Sequence, residues 1–455
     1  MEKLNFQDAA FLRLESPERP FHVGGLLIFS LPPDAPANYL RKLAARLSRQ
    51  LPGFDPVFRK KLDLTKPSEP RWLEATDYDP AYHLYHYALP QPGRLEDLLV
   101  LLSRVHERLL DRSRPLWEWH LIEGLAGDRF AVYCKMHHAL IDGVGAWRVL
   151  RSLLADSPRT APATTRKTAQ QVIPSRIEPH SWLGDLSHTA EAFLAQGRAL
   201  PELAAMLLRM RSEQAAASPP LPFTAPHAIM NTEISNRRRV ITASFPLASL
   251  RRIGKIVDGT VNDVLLAICG GALRSYLLEQ HRLPSKTLLA GVPVSVKTSG
   301  ESHGNQLSTI VCPLGTTTRD PLTRLRNISR ITRCAKRDVK NLSQTARQDY
   351  MNLVLLPTVV LTLAHAATLI PPAFNVIVSN VPGPDRPLYL SGSKLQEIYP
   401  LSVVTDAQAL NITAVSCGTR VCLGITSCPD QLPAIEHLDA HLANAHRELQ
   451  RALQA

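Results

Sequence analysis

Residues 137–143 read HHALIDG, and the sequence on either side of this heptapeptide dictates how it is held. Upstream, Arg129-Phe-Ala-Val-Tyr-Cys-Lys-Met136 is rich in β-formers and predicts a strand that ends at the histidines. Downstream, residues 144–154 space their apolar side chains as a helix does. A second strand is expected over Leu116 to Gly124, joined to the first through the turn residues Leu125-Ala-Gly-Asp128. A hairpin followed by a helix implies an antiparallel or mixed sheet with helices packed against it.

A histidine at such a strand-to-helix turn is carried by rigid elements and open on one side, the setting a general base needs. Its unperturbed pKa of about 6.5 leaves a neutral imidazole near pH 7 to take a proton from an alcohol, a thiol or water. Asp142 is expected to fix the turn, by accepting backbone N–H groups or pairing with an arginine. Gly143 is expected to supply a positive φ or room for a substrate. Zinc-type spacings such as HExxH are absent and no further ligands cluster nearby, so no metal is expected.

At 455 residues the chain is too long for one core and is expected to divide into units at 1–158 and 227–455, joined by a linker with helices at 159–226. Breaker-rich stretches at 157–165 and 218–226 bound that linker, and apolar residues including Trp182, Leu186, Phe193, Leu203, Met206, Leu207 and Met210 mark two helices within it. The second unit is expected to hold strands at 240–245, 287–296, 308–313, 375–380, 409–417 and 420–427, a helix at 260–280 and a closing helix near the end.

A net charge of +12 suits anionic headgroups or a phosphate-rich co-substrate. Arg237-Arg-Arg239 is the sole arginine triple and reads as a solvated strand start, so no nucleic-acid partner is expected. The seven cysteines are scattered, without CxxC pairs, as reduced buried cysteines are; the N-terminus has no secretory pattern, and a cytoplasmic location is expected. Leu353 to Ile370 is a run of 18 residues without formal charge, broken by Pro357, and is expected to be a helix buried in protein or touching a bilayer rather than crossing one. Gly300-Glu-Ser-His-Gly304 fits the GxSxG pattern, but a loop-into-strand context follows where a nucleophile elbow needs a helix.

With these segments in view, the chain resembles the bacterial wax ester synthase/diacylglycerol acyltransferase family, within the wider HHxxxDG group that includes chloramphenicol acetyltransferase and condensation domains. HHALIDG looks like the family's HHxxxDG motif, Pro115-Leu116-Trp117 like its PLW block and Asn262-Asp263-Val264 like its ND-containing helix start. Phe6 to Leu12, Phe21 to Gly25, Gly304-Asn305, Ser379 to Pro384 and Asn411 to Thr413 also fall in family order, so the likeness spans nearly the whole chain. Phe21 and Cys417 depart from the residues commoner at those places.

The resemblance implies an α/β (α+β) fold of two chloramphenicol-acetyltransferase-like domains, each a mixed sheet with flanking helices, joined by a helical crossover. It implies transfer of a long-chain acyl group from acyl-CoA, a co-substrate and not a bound cofactor, to a fatty alcohol or diacylglycerol. His138 would be the general base, His137 would support the motif and Asp142 would be structural, with no covalent acyl-enzyme. Asn262 is either the oxyanion donor or an ordinary helix N-cap. Trp117, Asp263, Ser379 and Asn380 are candidates for substrate binding, with packing the alternative for Trp117 and shaping of the Pro-Gly turn the alternative to tunnel lining for Ser379 and Asn380. The enzyme would sit peripherally at the inner membrane or at lipid inclusions. A transferase fed by a carrier protein and a non-catalytic lipid-binding relative are the alternatives, and oligomeric state is left open.

Overall fold

The computed structural model describes residues 2–454 except 5, 66–69, 77–78, 142, 160–201, 203, 207, 209–218, 296–306 and 364–365. Two six-stranded mixed sheets dominate it. In the first, strands run in the order Tyr389–Leu390, Ser393–Leu401, His22–Ser30, Arg129–His137, Trp117–Leu125 and Leu84–Ala88. All neighbours are antiparallel except 84–88, which lies parallel to 117–125. In the second the order is Leu307–Pro313, Leu289–Ser295, Val376–Val381, Leu410–Cys417, Arg420–Ser427 and Arg239–Pro246, parallel only where 376–381 meets its two neighbours. The α/β architecture of two mixed sheets with flanking helices is therefore the one expected.

Strand 129–137 is buried along nearly its whole length, because helices and neighbouring strands cover both of its faces. Alternation sends Phe130, Val132, Cys134 and Met136 to one face and Tyr133, Lys135 and His137 to the other. The first set shares its face with Leu27, Phe29, Trp119 and Leu121 in the core of the first sheet. The core of the second sheet is centred on helix Val261–Glu279, whose residues from Val264 to Leu273 are all buried. That helix is the one among the described residues long and apolar enough to cross a membrane, and 72% of the apolar window lies inside the protein.

The uncharged run at 353–370 is not one helix. Helix Gln344–Leu363 contains Pro357 and stops before the turn at 367–370. Ala346, Tyr350 and Val354 pack against Leu289, Val311 and Phe374, which makes this face part of the protein core. Met206, from the expected linker helices, is buried in the same cluster; most of the 159–226 stretch and the Gly300–Gly304 pattern lie outside the described residues.

Strand 393–401 was not legible in the sequence, nor was its place in the first sheet. It leaves the second half of the chain and pairs with 22–30, Leu401 opposite Gly24 and Ile398 opposite Leu27. The cores consequently meet: Val240, Val415, Cys417 and Cys422 pack with residues of the first sheet. Arg238 corrects the reading of the arginine triple, because it is buried and donates to the carbonyls of Glu18, Ser235 and Arg237. Six of the seven cysteines are buried and all are free thiols.

Candidate active site

The turn after strand 129–137 is assembled by backbone hydrogen bonds from three directions. The N–H of His137 donates to the Leu116 carbonyl at 3.0 Å, which is what the Pro115-Leu116-Trp117 block contributes. The N–H of His138 donates to the Phe21 carbonyl at 2.8 Å. The amides of Leu140 and Ile141 both reach back to the His137 carbonyl, at 3.0 and 3.3 Å, and helix Gly143–Ser152 follows. The expected strand–turn–helix is thus present. Gly143 is not among the residues at positive φ; it opens the helix, and a Cβ placed on it would meet nothing within 4 Å. Of its two expected uses, open space is the one observed. Asp142 lies outside the described residues.

His137 is fully buried and hydrogen-bonded at one ring nitrogen, with the other close to a carboxylate. The Ala139 N–H donates to Nδ1 at 3.0 Å, so the ring proton sits on Nε2, which lies 3.2 Å from Glu15 Oε1 without a hydrogen bond between them. His138 is half-buried, with its ring packed on Phe11 at 4.8 Å between centroids, and Phe11 stacks in turn on Phe21 at 5.5 Å. The imidazole is thus supported on one side by aromatic rings, and its backbone is fixed to Phe21.

Glu15 is the member of this site that the sequence did not disclose. It follows helix Phe6–Leu14, its side chain is 2% exposed, and it accepts the Phe21 N–H at 3.1 Å and two Arg112 N–H groups at 3.1 and 2.9 Å. Burial alone would raise its carboxyl pKa, but the contact with His137, the Phe21 N–H and the charge of Arg112 outweigh it and hold the group below the ordinary carboxylate value. A lone glutamate after a short helix carries no local signal of such a role.

Asn262 is not a helix cap. Thr260 caps helix 261–279, accepting the Asp263 N–H at 3.3 Å, while Asp263 accepts the Thr260 N–H at 2.7 Å. The Asn262 amide nitrogen is left buried, without a hydrogen-bond partner, in the helix's first turn. Asp263 is corrected from substrate contact to structure: it is 3% exposed, and its other oxygen takes the Thr332 hydroxyl at 2.7 Å.

Trp117 is likewise core rather than lining. It is 1% exposed, stacks on His83 and donates its indole N–H to Phe58 O at 2.9 Å. Ser379 is half-buried and Asn380 exposed at the end of strand 376–381. The turn that follows needs glycine, because a Cβ on Gly383 would lie 1.7 Å from the Ser416 carbonyl oxygen.

Beside the histidine turn, on the same strand face, runs a buried polar row. Lys135 is fully buried; it donates to the Val105 and Arg108 carbonyls and lies 3.7 Å from Glu118. Burial brings its pKa down to about 8. His106 Nδ1 meets the Tyr133 hydroxyl at 2.6 Å, and His120 lies 3.3 Å from Glu118. Among the described residues no group of three or more metal-ligating side chains stands together.

Residues 4–265 match the wax ester synthase/diacylglycerol acyltransferase catalytic domain, and residues 303–450 match the C-terminal domain of the same family. The chain belongs to this family. Membership makes it an acyltransferase enzyme. Within the wax ester synthase/diacylglycerol acyltransferases, it is 36% identical to the Acinetobacter baylyi O-acyltransferase WSD, over 97% of this chain and 95% of the relative. It is 37% identical to the Mycobacterium tuberculosis protein named "Probable diacyglycerol O-acyltransferase tgs2", over the full length of both. The solved wax ester synthase/diacylglycerol acyltransferase from Marinobacter aquaeolei VT8 superposes with a TM-score of 0.79 at 32% identity, covering 100% of each chain. The starter condensation domain of rhizomide synthetase shares the fold, with a TM-score of 0.58 at 14% identity over 100% of this chain and 94% of that one.

Proposed function

We propose that this enzyme transfers the acyl group of a long-chain acyl-CoA to the hydroxyl of a fatty alcohol, forming a wax ester, and to diacylglycerol, forming triacylglycerol. His138 acts as general base. It takes the hydroxyl proton as the alcohol oxygen attacks the thioester carbonyl, and a tetrahedral oxyanion forms. Collapse breaks the carbon–sulfur bond, and the imidazolium returns its proton to the leaving thiolate, giving ester and free CoA. His137 holds the turn and takes no proton from substrate.

The observation that carries the reading is the histidine turn itself: a buried His137, hydrogen-bonded at Nδ1 and 3.2 Å from Glu15 at Nε2, followed by a half-buried His138 whose backbone is tied to Phe21. Direct transfer without an acyl-enzyme fits the cysteines, because burial pushes the thiols of Cys134, Cys269, Cys312, Cys417 and Cys422 up and away from thiolate formation. Names of relatives that print O-acyltransferase and diacylglycerol acyltransferase support the acceptors, and an acyl-CoA complex of a condensation domain with this fold supports the donor class. CoA release from palmitoyl-CoA with hexadecanol, run beside dioleoylglycerol, tests the whole reading. Release with neither acceptor overturns it in favour of a carrier-protein donor.

Asn262 serves as oxyanion donor in this scheme, since an unpartnered amide N–H in the first turn of a long helix adds to the positive end of the helix dipole. Asn262→Ala is expected to lower kcat by about 10²–10³ with an unchanged melting temperature, because Thr260 and Asp263 make the cap. Wild-type kcat in this variant removes Asn262 from the mechanism.

The location we propose is cytoplasmic and peripheral, at the inner membrane or at lipid inclusions where such substrates dissolve. Helix Pro321–Asn341 supports this with Arg326, Arg330, Arg333, Arg337 and Lys340 exposed along one face. Purified enzyme is expected to co-sediment with phosphatidylglycerol vesicles, and less so as salt is raised. Equal sedimentation with neutral vesicles removes the electrostatic part of the proposal.

A further inference from the structure

We propose that Glu15 is a positioning residue for the base, fastening the His137–His138 turn to the N-terminal helix and to Arg112. This rests on the general-base reading of His138 and extends it to a residue outside the HHxxxDG motif. Two supports of the histidine pair pass through the one carboxylate, and a third runs through the Glu15 backbone. Its Oε1 accepts the Phe21 N–H, and the carbonyl of the same Phe21 accepts the His138 N–H, so Phe21 is a two-ended strut between Glu15 and the base. The same Oε1 faces the Nε2–H of His137, which leaves Nδ1 free to accept the Ala139 N–H and set the turn. Its backbone N–H donates to the Phe11 carbonyl at 3.1 Å, closing the helix that presents Phe11 to the His138 ring.

Arg112 completes the arrangement. It donates twice to Oε2, and it also donates to the Leu12 carbonyl at 2.6 Å, holding the carboxylate plane and the helix end together. A glutamine at position 15 keeps the size of the side chain but has one acceptor oxygen instead of two. Its NH₂ group would have to face either the Arg112 guanidinium or the His137 N–H, donor against donor. One of those contacts must be lost, along with a negative charge beside the histidines.

The charge gives the proposal a signature that a purely structural ion pair lacks. A negative group close to the base favours its imidazolium, and a positive one opposes it. Glu15→Gln is expected to lower kcat about 10- to 100-fold, with KM for palmitoyl-CoA changed by less than about threefold. The acid limb of its kcat/KM–pH profile is expected to move down by roughly 0.3–1 unit. Arg112→Gln removes the opposing charge and leaves the carboxylate, and is expected to move that limb up.

The test is the pH dependence of CoA release for full-length wild type, Glu15→Gln, Arg112→Gln and His138→Ala, each with its melting temperature. Opposite displacements of the acid limb support the proposal. A Glu15→Gln enzyme that melts lower but keeps wild-type kcat and pH profile overturns it and leaves the base assignment standing. Full activity in His138→Ala overturns both. Should Glu15→Gln not fold, an Arg112→Gln profile that coincides with wild type is sufficient to sink the idea.

Discussion

Replacing His138 with alanine is expected to lower acyltransfer by about 10²–10⁴, the range that a general base contributes. The fold should survive, because the structural hydrogen bond at this position comes from the backbone N–H to Phe21 and the ring is only half-buried. His137 is the contrast. Its ring is fully buried between Ala139 and Glu15, so His137→Ala is expected to lose activity together with melting temperature. Thiol release from palmitoyl-CoA in the presence of hexadecanol, measured beside thermal unfolding, separates the two. A His138→Ala enzyme at wild-type turnover rules that imidazole out as the base.

Stability is expected to fall steeply as pH drops below about 6.5, the ordinary histidine value. Burial is the main reason that His22, His83, His106, His120 and His446 all have pKa values below it, with Lys135 adding its charge at His22, His106 and His120. Unfolding releases them into water, where they bind protons that the folded protein refuses. Below 6.5 the unfolded state therefore holds more protons, and acid favours it.

His22 and His106 are the most strongly depressed and are expected to contribute most to the loss below about pH 6.5. Glu15 and Glu118, held below their ordinary values, add a second loss once pH falls below about 4.5. Lys135 acts at the alkaline end. With its folded pKa at about 8 and an unfolded value of about 10.4, its contribution rises with pH across that interval. Denaturant midpoints at about pH 7.5, 6.5 and 5.5 check the acid side, and a flat midpoint across them contradicts the buried-histidine account.

Much of the candidate site was legible because its signals are local. The strand expected through Met136 is observed as 129–137, its hairpin partner expected at 116–124 as 117–125, and the helix expected at 260–280 as 261–279. Each rests on side-chain periodicity or turn residues acting within a few positions of one another. Helix ends were read less well. Helix Leu95–His106 ends before Arg112, whose side chain reaches Glu15. The capping of helix 261–279 went to Thr260, two residues earlier than the Asn262 reading, and that shift is what frees the Asn262 amide.

By itself, then, the sequence determined the layered α/β class, the histidine turn and the order of the blocks that surround it. Only the tertiary structure decided which blocks touch. Phe11, Glu15, Phe21, Arg112 and Leu116 converge on two histidines from separate stretches of chain. Strand 393–401 crosses from the second half to complete the first sheet. Lys135 and Arg238 look in sequence like solvated charges, yet they are buried because backbone carbonyls happen to face them. Periodicity reports what a residue does within its own element; burial, ion pairing and strand partners depend on where distant elements dock, and no local pattern encodes that.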